Sequence, residues 1–182
     1  MKKFILTSLT MILLFQPAAA QKIFATNNGY ASFFSEAPIS DVDARNGNVK
    51  VRLNTSTQEL TFDIDMADFE FRNKKMGRDA RKKYIETDEF PKASFRGKIT
   101  SEVDYKKPGK YPVTATGKLE IHGTTKEVAE KGTVTVQKGK IKIESEFYVQ
   151  LKDYNIDTPS ILGQDMTQDK VLVKLEATLK AQ

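Results

Sequence analysis

General acid–base chemistry in this chain would have to start from His122, its one histidine. His122 follows an alternating run, Leu119-Glu120-Ile121, and precedes Gly123-Thr124-Thr125-Lys126. A general base needs an acid or nucleophile within hydrogen-bond reach, and a triad needs a third group that orients the imidazole. The spacing around His122 supplies neither, so a place in a turn or at a pocket rim is preferred to a catalytic role. Asp63, Asp65 and Asp68 form a D-x-D-x-x-D cluster. A calcium loop needs its oxygens in a turn with glycine at the sharp bend. Here Asp63 and Asp65 alternate with Phe62, Ile64 and Met66, which puts the carboxylates on the wet side of a strand. The same placement argues against paired carboxylates for glycoside hydrolysis. Without cysteine, and with one histidine, thiolate metal sites, multi-histidine centres and Cys nucleophiles are excluded. The expectation is a protein with no catalytic residue, no metal and no cofactor.

What remains is apolar chemistry, carried by alternation. Gln58 to Met66 places Leu60, Phe62, Ile64 and Met66 on one face of a strand. Asn48 to Leu53 does the same with Val49, Val51 and Leu53. Lys140 to Leu151 offers Ile141, Ile143, Phe147, Val149 and Leu151. Asp169 to Leu179 offers Val171, Val173, Leu175, Ala177 and Leu179. Weaker runs occur at 29–36, 93–99, 113–121 and 128–136, giving about eight strands. Asn46-Gly47 is expected to be a hairpin turn. Lys107-Pro108-Gly109-Lys110 and Lys138-Gly139 are expected to be turns as well. Asp153 and Tyr154 break a long strand; a bulge or strand-end turn is favoured over a polar contact at a barrel mouth.

One segment, Asn73 to Glu86, has a different period. Met76, Ala80 and Tyr84 form a helical stripe among Lys74, Lys75, Arg78, Arg81, Lys82 and Lys83. A solvated helix packing three side chains on a barrel is one reading. A cationic lid, with Arg78 and Arg81 near an anionic head group, is the other. Strands dominate and no βαβ rhythm occurs, so the fold class is all-β with one short helix. A closed or nearly closed antiparallel barrel is expected, with a sandwich as the competitor.

A barrel of this size either fills its interior or holds one small ligand. Ala93, Gly97, Ala115, Gly117, Ser145 and Ala177 are small at inward positions, which favours an apolar tunnel over a packed core. Phe62, Ile64, Met66, Phe95, Leu119, Ile121, Phe147 and Val149 are the expected pocket lining. His122, Arg78, Arg81, Asp153 and Tyr154 are the expected polar rim. Each methylene buried there contributes about 0.8 kcal/mol, so a chain-like lipid needs no catalytic group to bind.

The ends of the chain bound where this happens. Lys2 and Lys3, the apolar run Phe4 to Phe15 and Ala18-Ala19-Ala20 read as a cleavable export signal over residues 1–20. Removing them from 182 residues leaves 162, one domain, and lowers the formal charge from +5 to +3. That mild excess of cations does not call for nucleic acid. The apolar run is too short to span a bilayer, and no cysteine follows it for lipid attachment, so no stable membrane anchor is expected.

Three stretches carry a family resemblance. Phe90-Pro91-Lys92-Ala93-Ser94-Phe95-Arg96-Gly97, after Tyr84-Ile85-Glu86-Thr87, is one. Thr116 to Lys126 (TGKLEIHGTTK) is the second, and Phe147 to Ile156 (FYVQLKDYNI) followed by Pro159 is the third. In this order and spacing they resemble the YceI-like, polyisoprenoid-binding family across nearly the whole mature chain. The resemblance implies a lipocalin-like, eight-stranded antiparallel barrel and a periplasmic binder of isoprenoid, quinone-like or similar apolar lipid, for storage or transport. It also places His122 in a turn. The chain departs from the family pattern in having no Trp, and Ile23-Phe24-Ala25-Thr26 matches weakly at the start. A dimer is compatible with the sequence. The alternative function is a structural or protein-interaction barrel with a filled core.

Overall fold

The computed structural model describes residues 23–36, 41–157, 160–161, 164–165 and 169–182. The expected export signal lies outside them. Eight long or medium strands close into an antiparallel barrel. In chain order they are β1 (Ile23–Ser35), β2 (Val42–Asn54), β3 (Glu59–Asp65), β5 (Lys92–Ile99), β6 (Gly109–Ile121), β7 (Thr124–Gln137), β8 (Lys140–Gln150) and β11 (Lys170–Ala181). A two-residue strand, β4 (Glu70–Phe71), pairs with β2, and β9 (Ser160–Ile161) pairs with β10 (Gln164–Asp165). The order β1-β11-β8-β7-β6-β5-β3-β2 closes through the β1–β2 ladder. One helix, α1 (Lys74–Lys83), interrupts the strands.

The alternation explains the pleat. Val49, Val51 and Leu53 of β2, Leu60 and Phe62 of β3, and Ile141 and Ile143 of β8 are buried inside. Their neighbours point outward, where Lys174 pairs with Glu146 at 2.9 Å and Arg96 with Asp63. Such exposed pairs contribute about 0–1 kcal/mol each, so closure of the apolar interior holds the fold.

Three sequence expectations are corrected. Lys107-Pro108-Gly109-Lys110 is not the turn before β6: Gly109 and Lys110 already belong to that strand, and the turn spans Asp104 to Lys107, where Lys107 N donates to Asp104 O at 3.2 Å. Asn46-Gly47 is not a hairpin turn. It sits within β2, where the register against β1 slips between Gly29↔Val49 and Ala31↔Asn46. Asn46 is buried, its Nδ2 donates to Asp65 O at 2.9 Å and its Oδ1 accepts from Asn48 N at 2.8 Å. The amide side chain thus satisfies a bulge, which turn chemistry alone does not reveal. The first strand also begins earlier than residue 29. Ile23 faces Asn54 and Phe24 faces Ala181, so the weakly matching start is paired on both sides.

The barrel is not zipped evenly. The β7–β8 ladder runs only from Gln137↔Lys140 to Gly132↔Ser145. Beyond it β7 follows β6 to Ile121↔Thr124, while β8 follows β11 to Gln150↔Lys170. The parting strands are bridged by side chains: Ser145 Oγ donates to Lys131 O at 2.7 Å, and Asn155 Nδ2 to Thr124 Oγ1 at 2.9 Å. A 3-10 turn, Leu151–Tyr154, lies at the end of β8 and buries Tyr154.

Candidate ligand-binding site

The helix is placed by three local devices. Asn73 caps it, its Oδ1 accepting from Lys75 N at 3.0 Å and Met76 N at 3.1 Å. Gly77 is buried against Phe71; a Cβ there would lie 2.9 Å from the Phe71 Cβ, so only glycine lets the helix approach this closely. Arg81 donates from Nη1 to Phe69 O at 2.9 Å and lies over the Phe71 ring at 5.5 Å. Phe33 joins the cluster, 5.0 Å from Phe69 and 5.6 Å from Phe71 between ring centroids. At the other end Tyr84 packs against the cluster of Val149, Tyr154, Ile156 and Val171. The helix therefore lies across one end of the barrel.

Beneath it is a cavity of about 690 Å³. Met76, Ala80, Tyr84 and Ile85 form the roof. The walls come from Ile64 near the end of β3, Met66 in the 3-10 turn that follows it, Ala93, Ile121, Val149, and Val171 with Val173. Phe33, Phe69 and Phe71 close the β1–β4 side. The volume lies within the roughly 300–1,000 Å³ of small-molecule pockets, and the lining is mostly apolar, as such pockets are.

The lining expected from the sequence separates into two groups. Ile64, Met66, Ile121 and Val149 border this cavity. Phe62, Phe95, Leu119 and Phe147 do not; they surround a second, deeper space of about 60 Å³. Phe62 and Phe95 meet edge to face at 6.4 Å. The glycines expected to leave ligand volume are used differently. Gly97 and Gly117 face each other across β5 and β6. A Cβ on Gly97 would lie 2.6 Å from Phe95 Cζ and 2.9 Å from Gly117 Cα, so their small size allows strand approach and a ring to lie over Gly97. The roofed end is open and the deeper end is packed, so among the described residues no single tunnel runs the length of the barrel.

Among the expected rim residues, His122 borders the cavity. It occupies, with Gly123, the two-residue turn between β6 and β7; both have positive φ, 51° and 66°. Its Nε2 is 3.0 Å from Glu86 Oε2, its ring lies tilted against Phe90 at 4.1 Å between centroids, and its side chain is 9% exposed. Glu86 also has a left-handed backbone, at φ 49°. The pair ties the segment after α1 to the β6–β7 turn. Nδ1 is buried and has no hydrogen-bond partner among the described residues. Arg81 turns inward to the Phe69 carbonyl, Arg78 and Asp153 are exposed, and Tyr154 is 4% exposed in the core beside the cavity. Among the described residues no group of three His, Cys, Asp or Glu side chains could hold a metal ion. Asp63 pairs with Arg96, Asp65 caps a short 3-10 turn through Ala67 N, and Asp68 accepts from Asn48.

Phe33, Phe69, Phe71, Val171 and Val173 are wall residues that the expected lining omits. The Phe69-Glu70-Phe71 alternation, just before the helix, was the available signal.

Glu130 is an inward carboxylate bordering the deeper space, where β7 and β8 part. Burial raises its pKa above the ordinary value. A raised folded-state pKa means that its contribution to stability is full below the unfolded-chain pKa and is lost as pH rises through the folded one. Glu130→Gln is therefore expected to raise the thermal midpoint at neutral pH and to leave it unchanged in acid. Thermal unfolding across that range checks this; an equal shift at every pH would assign the effect to packing instead.

A closed eight-stranded barrel with a roofed apolar cavity is the architecture of the small ligand-holding β-barrels. Within that class, the chain belongs to the YceI-like family, whose domain model matches residues 23–179. A solved polyisoprenoid-binding domain from Saccharophagus degradans, implicated in plant cell wall breakdown, is similar at a TM-score of 0.74 and 13% identity, over 89% of this chain and 99% of that one. BcnA of Burkholderia cenocepacia is similar at 0.68 and 18% identity, over 83% and 95%. The Campylobacter jejuni YCEI protein is similar at 0.57 and 15% identity, over 100% and 99%. At these identities the structural likeness establishes the fold. No curated protein matches the chain.

Proposed function

We propose that this protein holds an isoprenoid-type or other apolar lipid beneath α1, as an exported, non-enzymatic store or carrier. The observation that carries this is the 690 Å³ cavity walled by Ile, Val, Met and Phe side chains. An apolar space of that size is filled most favourably by hydrocarbon, at about 0.8 kcal/mol per methylene. The polyisoprenoid-binding description of one structural relative supports the choice of lipid. The signal-like residues 1–20 support export.

The second reading, a barrel with a filled core that serves as an interaction module, is favoured by the packed deeper half. Organic extraction of the purified protein, followed by mass spectrometry, separates the two. The carrier reading expects a bound apolar molecule in amounts approaching one per chain. Repeated extraction without one, together with no affinity for added prenyl alcohols, would leave the interaction module.

A further inference from the structure

We propose that the roofed end of the barrel docks on an anionic lipid surface, with the outer face of α1 and a neighbouring aromatic row as its contacts. Two independent features of that end carry this.

The first is charge. The helix has six cations against one carboxylate, Asp79, which pairs with Lys83 at 3.6 Å. Arg81 turns inward to the Phe69 carbonyl. Lys74, Lys75, Arg78 and Lys82 are exposed and form no ion pair among the described residues. On the barrel wall Lys142 pairs with Glu144 and Lys174 with Glu146. The exposed wall cations without an ion pair among the described residues, such as Lys50, Lys118 and Lys131, are spread over separate strands and are not gathered along one element. Asp88 and Glu89 follow the helix, so the field belongs to α1 and not to the whole segment. The free cations are spread along an exposed helix, an arrangement suited to a diffuse anionic surface more than to one phosphate.

The second feature is aromatic. Phe34 and Tyr148 are the exposed large hydrophobic side chains among the described residues, at 36% and 57%. They fall in one row of the outer wall, because Phe34 faces Leu172 and Leu172 faces Tyr148. Each of the three stands within two residues of its strand's end at the roofed opening. Lys170 Nζ lies over the Tyr148 ring at 3.8 Å. Aromatic side chains with adjacent cations are the pattern of the bilayer interface. Docking here would bring the opening of the cavity against the membrane from which an apolar ligand would come. The choice of a membrane over an acidic protein thus rests partly on the lipid-holding reading.

The test is cosedimentation of the protein with vesicles of phosphatidylcholine alone, or mixed with phosphatidylglycerol. Binding is expected to the mixed vesicles, falling to the phosphatidylcholine level at about 1 M salt, where charges are screened within about 3 Å. Replacing Lys74, Arg78 and Lys82 by Gln is expected to weaken binding about 100-fold. Removing the same charge at the opposite end, with Lys106→Gln, Lys107→Gln and Lys138→Gln, is expected to change it less than about threefold. Tyr148→Ser should weaken it without changing its salt dependence. Equal binding to both vesicle types, equal losses from the two triple variants, or retention by heparin without vesicle binding would overturn the proposal. Extraction of the same samples keeps the two readings apart. Protein that retains lipid but ignores vesicles overturns docking alone, and protein that docks but yields no lipid overturns the cavity reading alone.

Discussion

Ala93→Trp is expected to abolish lipid retention while leaving the barrel folded. Ala93 lies on β5 opposite Ile64, is 7% exposed, and its side chain forms part of the wall of the larger cavity. An indole at this position projects into free space, so the overpacking cost of about 1–3 kcal/mol seen in filled cores is largely avoided. It occupies volume that the ligand would otherwise use. Displacing roughly four methylenes costs about 3 kcal/mol of binding, or roughly 100-fold in affinity. The measurement is extracted lipid per chain, with affinity for a prenyl alcohol, compared with thermal unfolding of the same protein. A variant that keeps its lipid and melts unchanged would place the ligand elsewhere. A variant that fails to fold would show that the space is not free, and Val173→Phe on the opposite wall then repeats the test with a smaller ring.

The fold was legible because it depends on side-chain period. Leu60-Phe62-Ile64 and Val171-Val173 alternate without interruption, and a strand buried on one side leaves no other register. The helix was legible because Met76, Ala80 and Tyr84 switch that period to four. Asn46-Gly47 misled because its turn chemistry is real but a buried bulge uses it too; only the tertiary partner Asp65 O distinguishes them. The site was half legible. Alternation shows which residues face inward, and among them Ile64, Met66, Ile121 and Val149 border the cavity. It cannot show depth along the axis, so Phe62, Phe95, Leu119 and Phe147, equally inward, were grouped with them. Nor could spacing show that Glu86, 36 residues before His122, meets its imidazole.

Depth is set by the backbone, and Gly117→Val is expected to show this with the largest loss of stability. A Cβ on Gly117 would fall on the Arg96 carbonyl oxygen and the Gly97 Cα, and 3.0 Å from the Arg96 carbonyl carbon. Those are main-chain atoms of a paired strand and cannot rotate aside as a side chain would. Valine must therefore push β6 from β5, loosen the ladder at Gly97↔Gly117 and Phe95↔Leu119, and shift the Phe95 ring from its place over Gly97. A cost of about 3–5 kcal/mol follows, since strained cores and broken ladders combine. For a domain of this length that lowers the thermal midpoint by roughly 10 °C. Gly47→Val is the comparison: nothing lies within 4 Å of a Cβ there, and its midpoint is expected to move by no more than a few degrees. If the two variants melted alike, close approach of β5 and β6 would not be what packs the deeper half. If they differ as expected, the floor of the cavity is a consequence of two facing glycines. Moving Phe95 off Gly97 would then be the route by which the barrel could be made to accept a longer chain.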